Sequence, residues 1–429
     1  MIQRAVILST GDELTTGRVL DSNSNYLADK LSEVGLDLVA VITVGDVPER
    51  LEWAWRTAME LGDVVVSTGG IGPTADDLTT ETIARITGKK LWSDEASIEH
   101  MRRIFSQVNR VMPDNNLKQA LFPETATIIQ NPLGTAPGFM MAVPQVKGHT
   151  AHLVVLPGVP REMKPMMEDT VIPWLKRNRG SDTIFAVRIF QTFGLTESGL
   201  DEEVAGLIRP DEARVAFRAS FPQISLRLTV EGKPGEAEAK LEELAARVRA
   251  KISQYVYAEG DASMEEVVGK ILTDRNIKLA VAESCTGGLI GHRLTNVAGS
   301  SRFFMGDFVT YSNDLKASIL GVSAATLKQH GAVSEQCVLE MAAGARDRAG
   351  ADVAIATSGV AGPDGGTPEH PVGTVCIALV GAGGVTASRR YQMRGNREWI
   401  KVLTSQVALD WLRRYGLGLP IGESALFRR

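Results

Sequence analysis

Cysteine is scarce in this chain: Cys285, Cys337 and Cys376 are the three among 429 residues, and none precedes residue 285. Their wide spacing excludes a disulfide framework and a zinc-ligand pattern, and points to a reducing cytoplasm. For Cys337 and Cys376 a packing role as small buried residues is favoured. Histidine is also sparse, with six copies, so an imidazole base has few places to come from. No apolar run approaches a membrane span, and residues 1–9 turn polar too early for a signal peptide and read as a first strand. Positive charge is not in excess. With 46 Lys and Arg against 51 Asp and Glu the net charge is −5, which argues against general nucleic-acid binding. Neither a Walker A motif nor a Gly-x-Gly-x-x-Gly fingerprint occurs, which disfavours a P-loop NTPase or a Rossmann dehydrogenase.

What is present is an ordinary globular composition, 44% hydrophobic and 23% charged, in a chain long enough for two or three domains. Strand-like runs at 5–9, 36–44, 63–67 and 153–156 alternate with helical periodicity at 24–34, 49–61, 77–86 and 162–177. That alternation predicts a doubly wound α/β sheet over residues 1–177. Half-exposed strands at 183–193 and 224–231, with a charged, Ala-rich helix at 236–252, predict a small α+β connector over 178–258. From 259 to 429 the α/β pattern resumes: a strand at 278–281, another at 352–356, and antiparallel neighbours at 373–380 and 385–393. A last helix spans 398–415. The fold class is therefore α/β, with two doubly wound domains joined by a small α+β connector.

Ligands of such sheets sit at the carboxyl ends of strands. In the first domain two loops stand there, Ser9-Thr10-Gly11-Asp12-Glu13-Leu14 and the run from Thr68 to Thr79. Gly69, Gly70 and Gly72 let backbone approach a ligand, and the N–H groups of such a loop, with Thr74 beside them, can cradle phosphate oxygens. Asp76 and Asp77, with Glu13, would repel bare phosphate but can hold a divalent cation that bridges it. Paired Asp at a helix start also serve as caps and dipole partners, a reading with about even weight for Asp77 alone. These residues, with Gly134-Thr135-Ala136-Pro137-Gly138 and the Pro157-Gly158-Val159-Pro160-Arg161-Glu162 run, resemble the molybdopterin-binding-like domain of the CinA (competence/damage-inducible) family. Asp21-Ser22-Asn23 stands where that family usually has Asp-Thr-Asn, and keeps a hydroxyl. The resemblance implies an ADP-ribose pyrophosphatase that uses a divalent cation, although some homologues of the domain only bind ligand.

In the third domain the strand at 278–281 runs into Glu283-Ser284-Cys285-Thr286-Gly287-Gly288 and then a helix start. A serine and paired glycines at such a turn offer a hydroxyl beside backbone N–H groups. The hydroxyl needs a base to become a nucleophile. His292 lies about two helical turns away from Ser284 on an ideal helix, and His330 and His370 are unsupported. The better candidate is Lys316, at a helix start after Tyr311 and Asn313: a buried lysine can lose its proton near neutral pH, and Tyr311 can relay that proton or orient the base. An exposed surface lysine is the ordinary expectation for Lys316 taken alone. The loop holding Ser358, Gly359, Gly362, Gly365 and Gly366 adds donors for an anionic ligand. Thr286, Gly287 and Gly288 supply further donors, with the N–H groups around Thr286 and Gly287 as an oxyanion site. Cys285 is the rival nucleophile.

These segments, with Gly331-Ala332-Val333-Ser334, resemble the CinA carboxy-terminal domain over nearly all of 260–415, and through it the stand-alone nicotinamide-nucleotide amidases called PncC. The resemblance implies hydrolysis of nicotinamide mononucleotide to nicotinic acid mononucleotide and ammonia, with no cofactor at that site. It also implies small-molecule nucleotide partners, a homodimer contact in the middle domain and no membrane. Two other readings stay open: a non-catalytic pterin- or nucleotide-binding regulator linked to competence, and an amidase whose first domain is inert.

Overall fold

The computed structural model describes residues 1–145, 148–180 and 183–422. The chain divides into two compact units, 1–186 with 231–237, and 187–230 with 238–429. Among the described residues no helix is long and apolar enough to cross a membrane.

In the first unit the strands are β1 (Arg4–Thr10), β2 (Asp37–Val44), β3 (Val64–Thr68), β4 (Leu91–Ser93), β5 (Leu121–Pro123), β6 (Thr127–Ile129), β7 (Gly138–Pro144) and β8 (Thr150–Leu156). Six of them form a sheet in the order β2-β1-β3-β8-β7-β6. Its first four strands are parallel, and β7 and β6 are antiparallel additions. Successive side chains of a strand point to opposite faces, and the sequence fills both. Val6, Leu8, Val65, Leu153 and Val155 join Leu51, Trp55 and Met59 on one side. Ile7, Val64, Val66, Val154 and Leu156 join Leu27, Leu31 and Met163 on the other. The continuous apolar runs of β3 and β8 are the signature of strands covered on both faces. The expected strands and helices at 5–86 and 153–177 are present to within a few residues, with the closing helix split into Pro160–Met166 and Ile172–Asn178 by a π turn. The segment between about 88 and 150 holds the helix Glu95–Gln107 and β4 to β7, which sequence periodicity did not reveal.

A four-stranded sheet follows: β9 (Ile184–Thr192), β10 (Arg214–Ser220), β11 (Gln223–Gly232) and β12 (Val256–Glu259), in the order β10-β11-β9-β12. The helix Glu236–Ile252 buries Leu241, Leu244, Ala245 and Val248. It is laced on its outer side by Arg249 with Glu242 and Glu259.

The remaining strands are β13 (Leu279–Glu283), β14 (Phe304–Val309), β15 (Val353–Gly359), β16 (Thr374–Gly381) and β17 (Thr386–Gln392), in the order β14-β13-β15-β16-β17. The first three are parallel and the last two antiparallel. One face carries large residues, Leu279, Val281, Val353, Ile355, Ile377 and Leu379, under Met264, Val268, Leu294 and Trp411. The other face carries Ala280, Ala282, Ala354, Ala356 and Ala378, against Leu320, Val338 and Met341. Small residues there let the helices Asn313–Leu320 and Glu335–Ala349 lie close to the sheet, and the first of these carries Lys316.

Candidate functional site

The parallel strands β13 and β15 end side by side, and the Ser284 N–H donates to the Thr357 carbonyl at 3.0 Å. This bond fixes the start of the turn at the carboxyl edge of the sheet. Gly287 and Gly288 follow at φ +63 and +90, a region that glycine enters without a Cβ penalty. The turn closes when the Gly287 N–H donates to the Ser284 carbonyl at 3.1 Å. Behind it the buried Glu283 carboxylate accepts from the N–H groups of Gly288, at 2.8 Å, and Gly291, at 2.9 Å.

The hydroxyl of Ser284 meets Lys316. The Lys316 Nζ lies 3.0 Å from Ser284 Oγ, and donates to the carbonyls of Thr310 at 2.8 Å and Tyr311 at 3.3 Å. Lys316 is 1% exposed, and burial pushes its pKa below the ordinary lysine value. An ammonium has three N–H donors; a neutral amine has two and a lone pair. Two carbonyls therefore take both hydrogens of the neutral amine, and its lone pair is left facing the serine hydroxyl. The arrangement is the geometry of a base and its nucleophile.

Tyr311 differs from the expectation. Its side chain is 60% exposed, and its hydroxyl accepts from Arg397 Nη2 at 3.0 Å. Its contact with Lys316 is through its carbonyl, because the residue sits where the chain leaves β14 and turns its ring outward. Cys285 is buried, and that burial, with the Glu283 charge beside it, pushes the thiol up to about 12. A thiol so protonated is a poor nucleophile. Of the expected oxyanion donors, the Gly287 N–H closes the turn; the neighbouring Gly288 N–H is held by Glu283. The Thr286 hydroxyl is 2.8 Å from that of Thr357, inside the turn. Asn313 is exposed at the first position of its helix, behind the Ser312 cap. Ser358 and Gly359 end β15, and Gly365 and Gly366 are exposed in the loop beyond. His292 is exposed on its helix, with Asn296 as its neighbour at 3.4 Å.

Periodicity alone missed two cations. Arg397 opens the helix Arg397–Leu417 and donates from Nη1 to the Gly362 carbonyl at 2.7 Å, so it ties that loop to Tyr311. Lys401, one turn on, has its Nζ 3.8 Å from the place a Cβ on Gly287 would take. A positive residue at a helix N-terminus opposes the helix dipole, and Arg397 after Gly395-Asn396 was a readable sign of a site that attracts anions. Two residues beyond Arg397, Trp399 stacks on Phe221 from the β10–β11 turn, with ring centroids 4.5 Å apart.

In the first unit, β1, β3 and β8 end around a cleft of about 560 Å³ lined by Thr10, Glu13, Asp46, Gly69, Gly70, Gly72, Asp76, Asp77 and Glu162, among others. Gly69 passes so close to Thr10 that a Cβ would strike the Thr10 carbonyl. Asn23 Nδ2 joins Thr68 Oγ1 at 2.9 Å and the Gly158 carbonyl at 2.7 Å, which pins the glycine loop to the loop after β8. Asp77 is turned inward: its Oδ2 accepts from the N–H and hydroxyl of Thr74, at 2.9 and 2.5 Å. Glu13, Asp76 and Asp77 are not brought together as a metal-binding group; among the described residues no three Asp, Glu, His or Cys side chains are so placed. Asp46 was missed. Burial, and the charges of Asp12, Asp76 and Glu13, raise its pKa, against the lowering pull of the Asp12 N–H it accepts. The donor set thus does not form a closed protein cage. It fits a hard cation that takes one or two carboxylates and completes its shell with phosphate oxygens and water.

Three family profiles match the chain in succession: "Probable molybdopterin binding domain" over residues 6–177, "Damage-inducible protein CinA KH domain" over 187–258, and "CinA C-terminal domain" over 261–416. The chain is similar to a CinA-like protein of Geotalea uraniireducens, 41% identical over 424 residues, covering 97% of this chain and 98% of that one. It is similar also to a CinA-like protein of Dictyoglomus thermophilum, 40% identical over 418 residues, covering 97% and 100%. Among solved structures, the competence/damage inducible protein CihA from Agrobacterium tumefaciens is 40% identical, covering 35% of this chain and 94% of that chain, with a TM-score of 0.34.

Proposed function

The chain belongs to the CinA family, and from that premise we propose that it is a hydrolase of pyridine-nucleotide salvage with an amidase site at Ser284. The observation that carries this reading is the buried Lys316 amine 3.0 Å from the Ser284 hydroxyl, with both its other contacts to carbonyls. Neutral Lys316 takes the Ser284 proton as Oγ bonds to the carboxamide carbon of nicotinamide mononucleotide. Protonated Lys316 then returns that proton to the leaving nitrogen as the C–N bond breaks, and ammonia departs. A water molecule, giving its proton to Lys316, attacks the ester. Ser284 leaves with that proton, and the product is nicotinic acid mononucleotide. Arg397, Lys401 and the start of the helix Arg397–Leu417 supply positive charge for the nucleotide phosphate.

At the first domain we propose cleavage of ADP-ribose between its phosphates. Gly69, Gly70 and Gly72 would face the pyrophosphate, and one or two of the cleft carboxylates Glu13, Asp46 and Asp76 would hold a divalent cation against it. Such a cation would neutralise the charge of the phosphates. A ligand-binding role without turnover is the second reading here, favoured by Asp77, whose carboxylate is engaged by the N–H and hydroxyl of Thr74.

Ammonia release from nicotinamide mononucleotide by wild type, Ser284→Ala and Lys316→Ala proteins tests the amidase site. Loss of at least 100-fold in both variants is expected, and full activity in either removes that residue from its role. For the first domain, ADP-ribose hydrolysis that Asp76→Asn leaves undiminished would remove Asp76 from the site. Binding with no product at saturating divalent cation would establish the second reading.

A further inference from the structure

Behind the Ser284 turn lie two carboxyl groups that the amidase chemistry does not use. Glu283 is fully buried and ends β13. No Lys, Arg or His pairs with it among the described ion pairs; its two oxygens instead accept the N–H groups of Gly288 and Gly291. Asp307 stands on the adjacent strand, where Val281 and not Glu283 is its register partner. Its side chain nevertheless reaches the Glu283 carboxyl and lies against Gly291, so closely that a Cβ there would touch Asp307 Oδ2. Glu283 is fully buried and Asp307 half-buried beside it, and two carboxyls in contact do not both ionise. Burial and the Glu283 charge push the Asp307 carboxyl up to about 8, the direction expected when two neighbouring carboxyls share one proton.

We infer that Glu283 and Asp307 are a positioning pair for the nucleophile turn, a carboxylate that draws two N–H groups of the turn and helix start inward while the Asp307 side chain, packed against Gly291, holds that carboxylate in place. The inference rests on Ser284 being the nucleophile. The residue before Ser284 is then anchored from behind at three points: the Gly288 N–H, the Gly291 N–H and Asp307. The helix start, which would otherwise present those donors to the ligand, instead fixes the entry of the chain into the turn. The pair also explains why Gly291, within the helix Leu289–Thr295, has no side chain: the space is filled by Asp307.

Asp307→Asn keeps a donor toward Glu283, whereas Asp307→Ala removes it and leaves a buried carboxylate short of one partner. Hydrogen bonds to a charged group are each worth about a ten- to hundredfold in an equilibrium. The experiment compares wild type, Asp307→Asn, Asp307→Ala and Ser284→Ala. It reads kcat and KM for nicotinamide mononucleotide, and amide hydrogen exchange of the peptide spanning 284–291. Expected for Asp307→Ala is a loss of about tenfold or more in kcat, KM within about twofold, and faster exchange of the Gly288 and Gly291 amides. Asp307→Asn should restore both readouts. Wild-type kcat and exchange in Asp307→Ala, or an Asp307→Asn protein as impaired as Asp307→Ala, overturns the pair. If Ser284→Ala keeps full activity, the amidase reading falls, and the exchange data alone decide whether Glu283 and Asp307 hold the turn.

Discussion

Replacing Lys316 with methionine separates the chemistry of its amine from the packing of its stem. The lysine contacts Ser284 Oγ, the Thr310 carbonyl and the Tyr311 carbonyl, and is otherwise enclosed. Methionine has similar length and keeps the apolar contacts, but cannot accept a proton. Loss of a general base of this kind costs about 10²- to 10⁴-fold in rate, or roughly 3 to 5 kcal/mol of barrier. Lys316→Arg should fail equally, because a guanidinium keeps its proton at any working pH. The assay is steady-state ammonia release across pH. Wild-type kcat/KM should rise about tenfold per pH unit on an acid limb that ends below the ordinary lysine pKa, since burial lowers that of Lys316. Stability carries the same sign. Below its folded pKa the lysine is a buried ammonium, and folding bears the cost; as pH rises from that value toward the unfolded value near 10.5 the folded form sheds the proton first. Wild type should therefore gain stability relative to Lys316→Met across that window, by about 1.4 kcal/mol for each pH unit of its width. An unchanged rate in Lys316→Met, or an acid limb that persists unaltered in a partly active Lys316 variant, refutes the base assignment.

Cys285→Ser should retain activity within about twofold and wild-type labelling of Ser284 by a serine-directed phosphonate, because a thiol pushed up to about 12 is not a working nucleophile; a hundredfold loss would reinstate it. Arg397→Ala should raise KM for the mononucleotide about tenfold or more, and change turnover of nicotinamide riboside, which lacks the phosphate, far less; an equal effect on both would take the phosphate away from Arg397. Gly344→Ala places a methyl where the Leu320 carbonyl stands, and should destabilise the fold by about 1–3 kcal/mol in urea denaturation. It should also lower amidase activity, because Leu320 ends the helix that carries Lys316. A stabilised Gly344→Ala protein would show that the two helices part freely.

The alternation of strands and helices was legible because strands covered on both faces read as unbroken apolar runs, as in Val64-Val65-Val66 and Leu153-Val154-Val155. Edge elements were not. β10, with six of its seven residues exposed, carries no apolar face to give a period of two, and β4 to β6 are three residues each. In the candidate sites, the nature of the loops was readable and the aim of each side chain was not. Lys316 and Ser284 lie 32 residues apart, and only the parallel pairing of β13 with β14 brings their loops together. Tyr311 turned outward because the chain leaves the sheet there, a feature with no counterpart in residue type. Asp77 was read with Asp76 as one pair, yet a hydrogen bond to Thr74 three residues earlier takes it into the loop.

The two glycine-rich strand ends look alike as sequence, and their electrostatics run in opposite senses. Around Ser284 the acids are behind the turn: Glu283 is fully buried, and burial with the Glu283 charge pushes Asp307 up, while Arg397 reaches the Gly362 carbonyl and Lys401 lies near Gly287. An anion would meet positive charge there directly. Around Gly69 and Gly70 the acids are in front: Glu13, Asp46 and Asp76 line the cleft, and burial, with the charges of Asp12, Asp76 and Glu13, raises the pKa of Asp46. A phosphate-bearing ligand can enter that cleft only with its charge offset, so binding there should strengthen with divalent cation. On the proposed functions, the same nucleotide chemistry would be met once by fixed cations and once by carboxylates that need a mobile one. Chelation should therefore act on the two activities unequally: ADP-ribose turnover or binding should fall in excess chelator while ammonia release from the mononucleotide continues. Equal sensitivity of both, read in one sample, would refute the assignment of opposite charge roles to the two loops.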